Sequence, residues 1–321
     1  GFQARKLVYG NPFQANQMPT QNLSLGNALF EQVPNPFFGV IEGDVAADPT
    51  IARYQLLRPF PQFTDVSLTR SIPGASANFN ALTAKFTKQF SNGATIVSSY
   101  QWSKNIDNAS EDQGWAINDA WRDQYNLNLE RSISAHDVPQ SFVTSLVYDL
   151  PVGRGRQFGA DLPRAVDAII GGWQTSSIVR LQSGLPLAVR TFINELPGGF
   201  GQQHPNLINA DIVSQNRTPD RWINPDAFAA PEPFTIGNAP RYFTQLRESA
   251  TKNIDFSLSK FFSITEKSRL MFRADFLNAF NHPQFGGPFN TDTTFGSETF
   301  GQVFGTSNYP RNIQLGLRFE F

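Results

Sequence analysis

The stretch NIQLGLRFEF, residues 312–321, ends the chain and decides how the rest is read. Ile313, Leu315, Leu317, Phe319 and Phe321 fall on one side of a strict alternation, and Asn312, Gln314, Gly316, Arg318 and Glu320 fall on the other. A period of two is the mark of an extended strand with one apolar and one polar face. The stretch is longer than the usual soluble strand of about 5–6 residues. Tilted by about 45°, it is long enough to cross roughly 25 Å of hydrocarbon. Soluble chains usually finish in a frayed polar tail. An aromatic end on an apolar face is instead the form expected of a barrel's closing strand, its last ring at the lipid–water interface.

The same alternation recurs upstream. Residues 80–90 set Leu82, Ala84, Phe86 and Phe90 against Thr83, Lys85, Thr87 and Gln89; residues 94–104 set Ile96, Tyr100 and Trp102 against Thr95, Ser99, Gln101 and Ser103. Further strands are expected at 140–150 (Phe142, Leu146, Tyr148), 172–182 (Trp173, Val179, Leu181), 253–262 (Ile254, Phe256, Leu258, Phe262) and 269–280 (Leu270, Phe272, Ala274, Phe276). A weaker one is expected at 64–71, with a strand stub at Leu7-Val8-Tyr9. No helix is required; 166–170 has room for a short turn only. Along this order the connections alternate between short (91–93, 263–267, with 151–170 intermediate) and long (105–139, 187–252, 281–310), the long ones rich in Asn, Pro, Gly and Asp. An up-and-down membrane barrel has that asymmetry, with short periplasmic turns and long outer loops. The expected fold is all-β: a transmembrane antiparallel up-and-down barrel, represented by about seven or eight strands with long extracellular loops. Residues 1–77 read as an extracellular loop region with strand stubs and 78–321 as the C-terminal strands of the barrel.

Composition agrees with this reading and removes several others. The 321 residues carry a net charge of −1, which points away from nucleic acid, and contain 30 Phe and no Cys. The lack of Cys excludes disulfides, zinc–thiolate centres and thiol nucleophiles. Mean hydropathy is only −0.32, as expected when just every second strand residue meets lipid. No apolar run of about 18 residues is present, so no membrane-spanning helix is expected. Gly1 opens on neither a basic nor an apolar leader segment, so a mature chain or a piece of a longer one is expected.

Several longer words resemble a known family: QVPNPFFGVI (32–41), QLLRPFPQF (55–63), SYQWSKNIDNAS (99–110), AHDVPQSFVTSLVYDLPVGRGR (135–156), GGWQTSSIVRLQSGLPLAV (171–189), DRWINPDAF (220–228), KNIDFSLSKFF (252–262) and RLMFRADFLNAFNHPQFG (269–286). Together they look like the C-terminal half of TonB-dependent outer-membrane receptors, in the Oar-like subgroup. The resemblance implies a barrel of about 22 strands whose lumen is filled by a plug. It also implies energy delivered through TonB, insertion by the barrel assembly machinery, and residence in the outer membrane of a Gram-negative bacterium. The terminal residues Ile313, Leu315, Leu317, Phe319 and Phe321 then resemble the signal that machinery reads. No plug, TonB box or N-terminal carboxypeptidase-like sandwich precedes the strands, so the chain reads as part of a longer receptor. LRESATKN (246–253) stands where the family more often has a Gly-Pro turn.

Chemistry-bearing constellations are sparse. GRGRQFG, residues 153–159, has neither the spacing nor the Lys-Ser/Thr of a phosphate loop and reads as a periplasmic turn with arginines near lipid headgroups. His136, His204 and His282 lie far apart with no i, i+4 partner, which gives no zinc motif. His136 and Asp137 read as a loop-anchoring pair. Asp107, Glu111, Asp112, Asp119 and Asp123 offer hard oxygen ligands but lack the calcium-loop spacing, and Ser183-Gly184 lacks the nucleophile elbow. No catalytic residue, cofactor or metal is therefore expected, and no enzymatic activity. Tyr100, Trp102 and Tyr148 read as interface aromatics. Trp115, Trp121 and Trp222, in the outer loops, either stack on an extracellular ligand or pack the loops over the barrel mouth.

Three functions fit to different degrees: a receptor importing an unidentified nutrient; a structural or adhesion barrel whose loops bind partners without active uptake; and a secreted β-rich enzyme or lectin. The third requires solubility without detergent.

Overall fold

The structure, a computed structural model, describes residues 1–9, 13–68, 72–91, 93–108, 121–192, 194–265, 268–287 and 290–321. Eight strands run as an antiparallel meander: β1 (Phe2–Tyr9), β2 (Ile72–Gln89), β3 (Ala94–Asp107), β4 (Gln140–Asp149), β5 (Trp173–Gln182), β6 (Thr251–Ser263), β7 (Arg269–Leu277) and β8 (Asn312–Glu320). Each pairs with its neighbour in sequence, and a two-residue strand, Ser132–Ile133, adds to the end of β3. The sheet is not closed: β1 and β8 form its two edges. Among the described residues no helix is long and apolar enough to cross a membrane.

Register fixes which side chains share a face. The apolar row of the chain end, Ile313, Leu315, Leu317 and Phe319, lies opposite Phe276, Ala274, Phe272 and Leu270 of β7. The row continues to Phe256, Leu258, Lys260 and Phe262 of β6, then to Thr175 and Trp173 of β5. It passes on to Tyr148, Leu146 and Phe142 of β4, to Ile96, Tyr100 and Trp102 of β3, and to Phe86 and Leu82 of β2. Directly opposite residues of an antiparallel pair point the same way, so one surface of the sheet collects most of the apolar side chains of the strands from β2 to β8. It is open: Leu315 is 72% exposed and Leu82 65%. On this surface the Ser98 hydroxyl meets that of Thr144 at 2.6 Å, and Thr175 Oγ1 donates to the Ser257 carbonyl at 3.2 Å.

The opposite surface carries a polar network. Asp275 accepts from Ser257 and, at 2.8 Å, from Arg273, and Arg269 reaches Glu320 at 2.5 Å. Val97, Val147, Ile178 and Phe261 interrupt it. The connections at one end are the shorter ones: 90–93, 264–268 and, intermediate in length, 150–172. Those at the other end are long: 10–71, 108–139, 183–250 and 278–311.

Four expectations are corrected. The eighth strand is β1, not 64–71: there only Ser67–Leu68 is extended, paired with Phe13–Gln14 away from the main sheet, while 69–71 lie outside the described residues. A division at residue 77 falls inside the 18-residue β2, because that strand continues without a break from 72. Helix is present: α1 (Arg53–Leu56) in the first long loop and α2 (Arg164–Ile170) in the connection between β4 and β5. Residues 278–280, expected to extend β7, form a turn instead, with Asn278 at φ 48° held by its amide to the carbonyls of His282 and Tyr309.

The two surfaces make unequal demands on a substitution. An arginine on the lipid face near the middle of a strand costs about 2–4 kcal/mol. Leu315→Arg is expected to lower stability by that amount in unfolding titrations of the full-length protein folded into bilayers. Gln314→Arg, one residue away on the opposite surface, is expected to change it by less than about 1 kcal/mol.

Candidate functional site

The long loops fold on one another into a cap with its own interior. Leu187, Ile212, Trp222, Ile223, Phe228, Phe243 and Leu246, all from 183–250, pack with Phe285, Phe295, Phe300 and Val303 of the last loop. Phe228 makes edge contacts with Phe243 and Phe300, each at 5.8 Å between ring centres. A second cluster joins Met18, Leu23 and Leu29 of the first loop to Leu196 and Phe200. A third joins Ile133 and Ala135 to Tyr242. Loop 183–250 is thus the hub that the other three touch.

Buried ion pairs hang this hub on the sheet. Arg241 bonds the carboxylate and carbonyl of Asp107 at the outer end of β3, and its Nε donates to the Glu130 carbonyl at 3.1 Å. Arg247 meets Asp137 at 2.6 Å and also donates to the carbonyls of Asp137 and Gly184. Arg122 meets Glu130 at 3.0 Å and donates to the Ala239 carbonyl at 2.9 Å. Asp107 and Ser103 share a face with Gln101, the polar one; the Ser103 hydroxyl donates to the Val138 carbonyl of the covering loop at 2.6 Å. The cap therefore attaches at the strand ends that carry the long connections, on the side away from the apolar surface.

His204 sits in the middle of this region, with Nδ1 3.1 Å from the Ala239 carbonyl, so that nitrogen carries the hydrogen. Burial holds its pKa well below the ordinary value, and the cations Arg122, Arg190 and Arg241 push the same way. Arg217 lies over the Trp222 ring at 3.5 Å, and burial lowers its pKa to about 10. Burial pushes Asp292 up, but hydrogen bonds from Ser297, Thr294 and Thr299 outweigh it and hold the carboxyl below its ordinary range.

A cavity of about 570 Å³ opens between three of the loops. Thr20 and Leu23 form one wall, Asp123, Asn126 and Leu129 a second, and Asn206 with Glu232 and residues 234–238 the third. Asp123 is committed internally: its carboxylate accepts from Gln17, Thr20 and the Tyr125 N–H at 2.7–2.9 Å. The Asn238 side chain accepts the Leu207 N–H at 2.6 Å, and the Asn206 side chain accepts the Asn238 N–H at 3.2 Å. Phe234 stands at φ 59°, a conformation costly for an aromatic residue, with its ring against Phe30 at 6.0 Å. Glu232 is exposed, and its carboxylate has no hydrogen bond among the described residues. The cavity thus offers an apolar patch, one free carboxylate and several amides.

The candidate ligand contacts divide. Trp121 and Trp222 are 5% and 6% exposed, and their indole N–H groups donate to the carbonyls of Asn108 and Arg247. They pack the cap, and their faces are closed to a ligand. Trp115 lies outside the described residues, as do Glu111, Asp112 and Asp119. Asp107 and Asp123 are taken up by Arg241 and by Gln17 and Thr20. Asp137 anchors its loop through Arg247 and the Asn105 N–H rather than through His136. Tyr100, Trp102 and Tyr148 share the apolar surface, Trp102 being 59% exposed. Phe321 projects beyond the last strand, stacked on Phe319 at 5.8 Å. Sequence reading missed Arg122, Arg241 and Arg247, isolated cations in polar loops with no local pattern to mark them.

Breaking a buried pair leaves an uncompensated charge. Arg247→Ala is expected to cost the cap roughly 3–5 kcal/mol, seen as faster limited proteolysis within 183–250, with the barrel still migrating as a folded band before boiling. A second expectation concerns pH. Unfolded His204 titrates near about 6.5, whereas in the cap it stays neutral to lower pH. The unfolded form therefore binds more protons below that point, and cap stability falls as pH drops from 7 toward 5. Protease sensitivity of 183–250 should rise over that interval, with a shallower rise in His204→Gln.

A family model described as "Outer membrane beta barrel domain" matches residues 1–314. None of the curated proteins and none of the solved structures compared with the chain matches it. The match covers nearly the whole chain, and the paired strands, the continuous apolar surface and the sorting of short and long connections are its physical content. The chain belongs to the outer membrane β-barrel domain family, and its place is the outer membrane of a Gram-negative bacterium.

Proposed function

We propose that the chain forms the C-terminal part of a TonB-dependent outer-membrane receptor. The cap takes an extracellular nutrient, which then passes through a lumen occupied by a plug supplied from outside the residues described. No chemistry is performed on the cargo. The observation that carries the reading is the position of the cap: the outer loops form one cored body, tied by Arg241–Asp107 and Arg247–Asp137 to the mouth rather than to the lipid side. The open cavity of about 570 Å³ between three loops adds a place for a ligand. The resemblance of the strand and loop words to TonB-dependent receptors supports the energy source. The open edges of β1 and β8 fit a sheet continued by further strands, with Ile313, Leu315, Leu317, Phe319 and Phe321 as the closing strand and assembly signal.

The cargo need not be identified for the reading to be tested. A strain lacking the full-length gene and a strain lacking TonB are grown on a panel of limiting iron, glycan and peptide sources. The receptor reading expects both to fail on at least one shared source, with wild-type protein restoring growth to the first. Normal growth on every source, together with lost surface attachment, would replace this reading by that of an adhesion barrel.

A further inference from the structure

The connection between β4 and β5 differs from the other short ones because it doubles back along the outside of the sheet. Gly153 makes the reversal possible. At its φ of 127°, an added Cβ would lie 2.8 Å from the Asp167 carboxylate and 2.9 Å from the Gly171 Cα. Asp167 accepts the Arg154 N–H at 2.8 Å, which locks the start of the turn to α2. Two side chains of the sheet hold the far end of α2. The Trp173 indole N–H donates to the Ile169 carbonyl at 2.9 Å, and the Lys260 ammonium donates to the carbonyls of Gly171 and, at 3.3 Å, Asp167. Trp173 and Lys260 are cross-strand partners, and their row continues through Phe272 to Leu317. That row belongs to the lipid-facing surface, so α2 lies against the lipid side at the end with short connections.

What α2 presents from there has a pattern. Val166, Ile169 and Ile170 are 40%, 70% and 44% exposed. Their spacing of i, i+3 and i+4 puts them on one side of the helix. Arg154, Arg156 and Arg164 are exposed on the same connection and form no ion pair among the described residues. The exposed carboxylate nearby is Asp161, since Asp167 is turned inward. An apolar stripe that continues the lipid-facing surface, bordered by arginines at the membrane edge, matches a molecule with an acyl chain and an anionic phosphate.

We infer that α2 with Arg154, Arg156 and Arg164 is a docking site for an anionic phospholipid of the periplasmic leaflet. The acyl chains lie on Val166, Ile169 and Ile170, and the headgroup phosphate is held by the arginines. Lys260 is not itself the phosphate ligand, because it is buried beneath the helix end. The site would fix the depth of the barrel in the inner leaflet and draw anionic lipid to this sector of its wall.

The test uses the full-length protein on a cysteine-free background, with Ile169→Cys carrying an environment-sensitive fluorophore. It is reconstituted in phosphatidylethanolamine vesicles containing a minor fraction of phosphatidylglycerol. In one set the acyl bromines are on the phosphatidylglycerol; in the other they are on an equal amount of phosphatidylethanolamine. The inference expects a blue-shifted fluorophore quenched several-fold more by the brominated phosphatidylglycerol. Replacing Arg154, Arg156 and Arg164 together by Gln should lower that preference by at least about fivefold, the worth of one surface arginine near anionic lipid. Arg318→Gln, on the polar face, should leave it unchanged. Variants that retain a fast-migrating unboiled band are assembled and count. A water-like fluorophore quenched by neither lipid would overturn the inference. Equal quenching by both lipids, unaltered by the triple replacement, would also overturn it.

Discussion

A backbone N–H or C=O facing hydrocarbon has no water to bond, and each one left unpaired costs several kcal/mol. That constraint dictates the whole transmembrane part of the molecule. It demands a continuous antiparallel ladder, and a ladder fixes register. Register then decides which residues meet lipid, since a slip of one position turns every side chain to the other face. Here the pairing from β8 back to β2 holds without a slip: Leu315, Ala274, Leu258 and Thr175 stand in one row, and Gln314, Asp275, Ser257 and Ser176 in the row beside it. The Ser257–Asp275–Arg273 network belongs to the second row, where water and other polar groups keep such an arrangement inexpensive.

The cap obeys different physics. It lies in water, its backbone is irregular, and its stability has to come from burying side chains and pairing charges across large separations in sequence. Arg241 and Asp107 are 134 residues apart, and Arg247 and Asp137 are 110 apart. Each arginine spends its remaining donors on loop carbonyls, which is the condition under which a buried pair is tolerated. Because Asp107 ends β3 and Asp137 precedes β4, cap and barrel are mechanically joined: the loops cannot leave the mouth without exposing two carboxylates placed by the strands. His204, kept neutral among three arginines, adds no charge to a site already rich in cations.

The strands were legible because their signal is local and repeated. Alternation in 94–104 and 312–321 needs no knowledge of partners, and β3 and β8 start at the residues it indicates. β1 was only half visible, as the stub Leu7-Val8-Tyr9, because its pairing with β2 shifts register twice between Arg5 and Val8 and breaks the period. The cap was legible only as a set of long polar loops. Trp121 and Trp222 looked the same in sequence whether they awaited a ligand or filled a core, since burial in the cap depends on contacts from distant loops. Arg217, over the Trp222 ring, lies on the neighbouring strand of a small hairpin, and nothing in its own surroundings marks it as that partner.

Lys260 is where the two kinds of order meet. By alternation it belongs among the lipid-facing residues, where a charged ammonium is expensive, yet it is 3% exposed. The C-terminal end of α2 supplies what lipid cannot: the Gly171 carbonyl just past the helix, and the Asp167 carbonyl, which also accepts the Gly171 N–H, both take the ammonium at the helix's negative pole. The connection from 150 to 172 is therefore not a passive turn. The lysine requires a cover, the cover requires a helix ending in Gly171-Gly172, and the reversal that delivers the helix requires Gly153. The residues of α2 facing away from Lys260 are then forced outward, toward whatever surrounds the barrel at that depth. A short segment that seemed too brief to form a helix is thus determined by a single charge on a strand nearly a hundred residues later, 93 positions beyond Asp167.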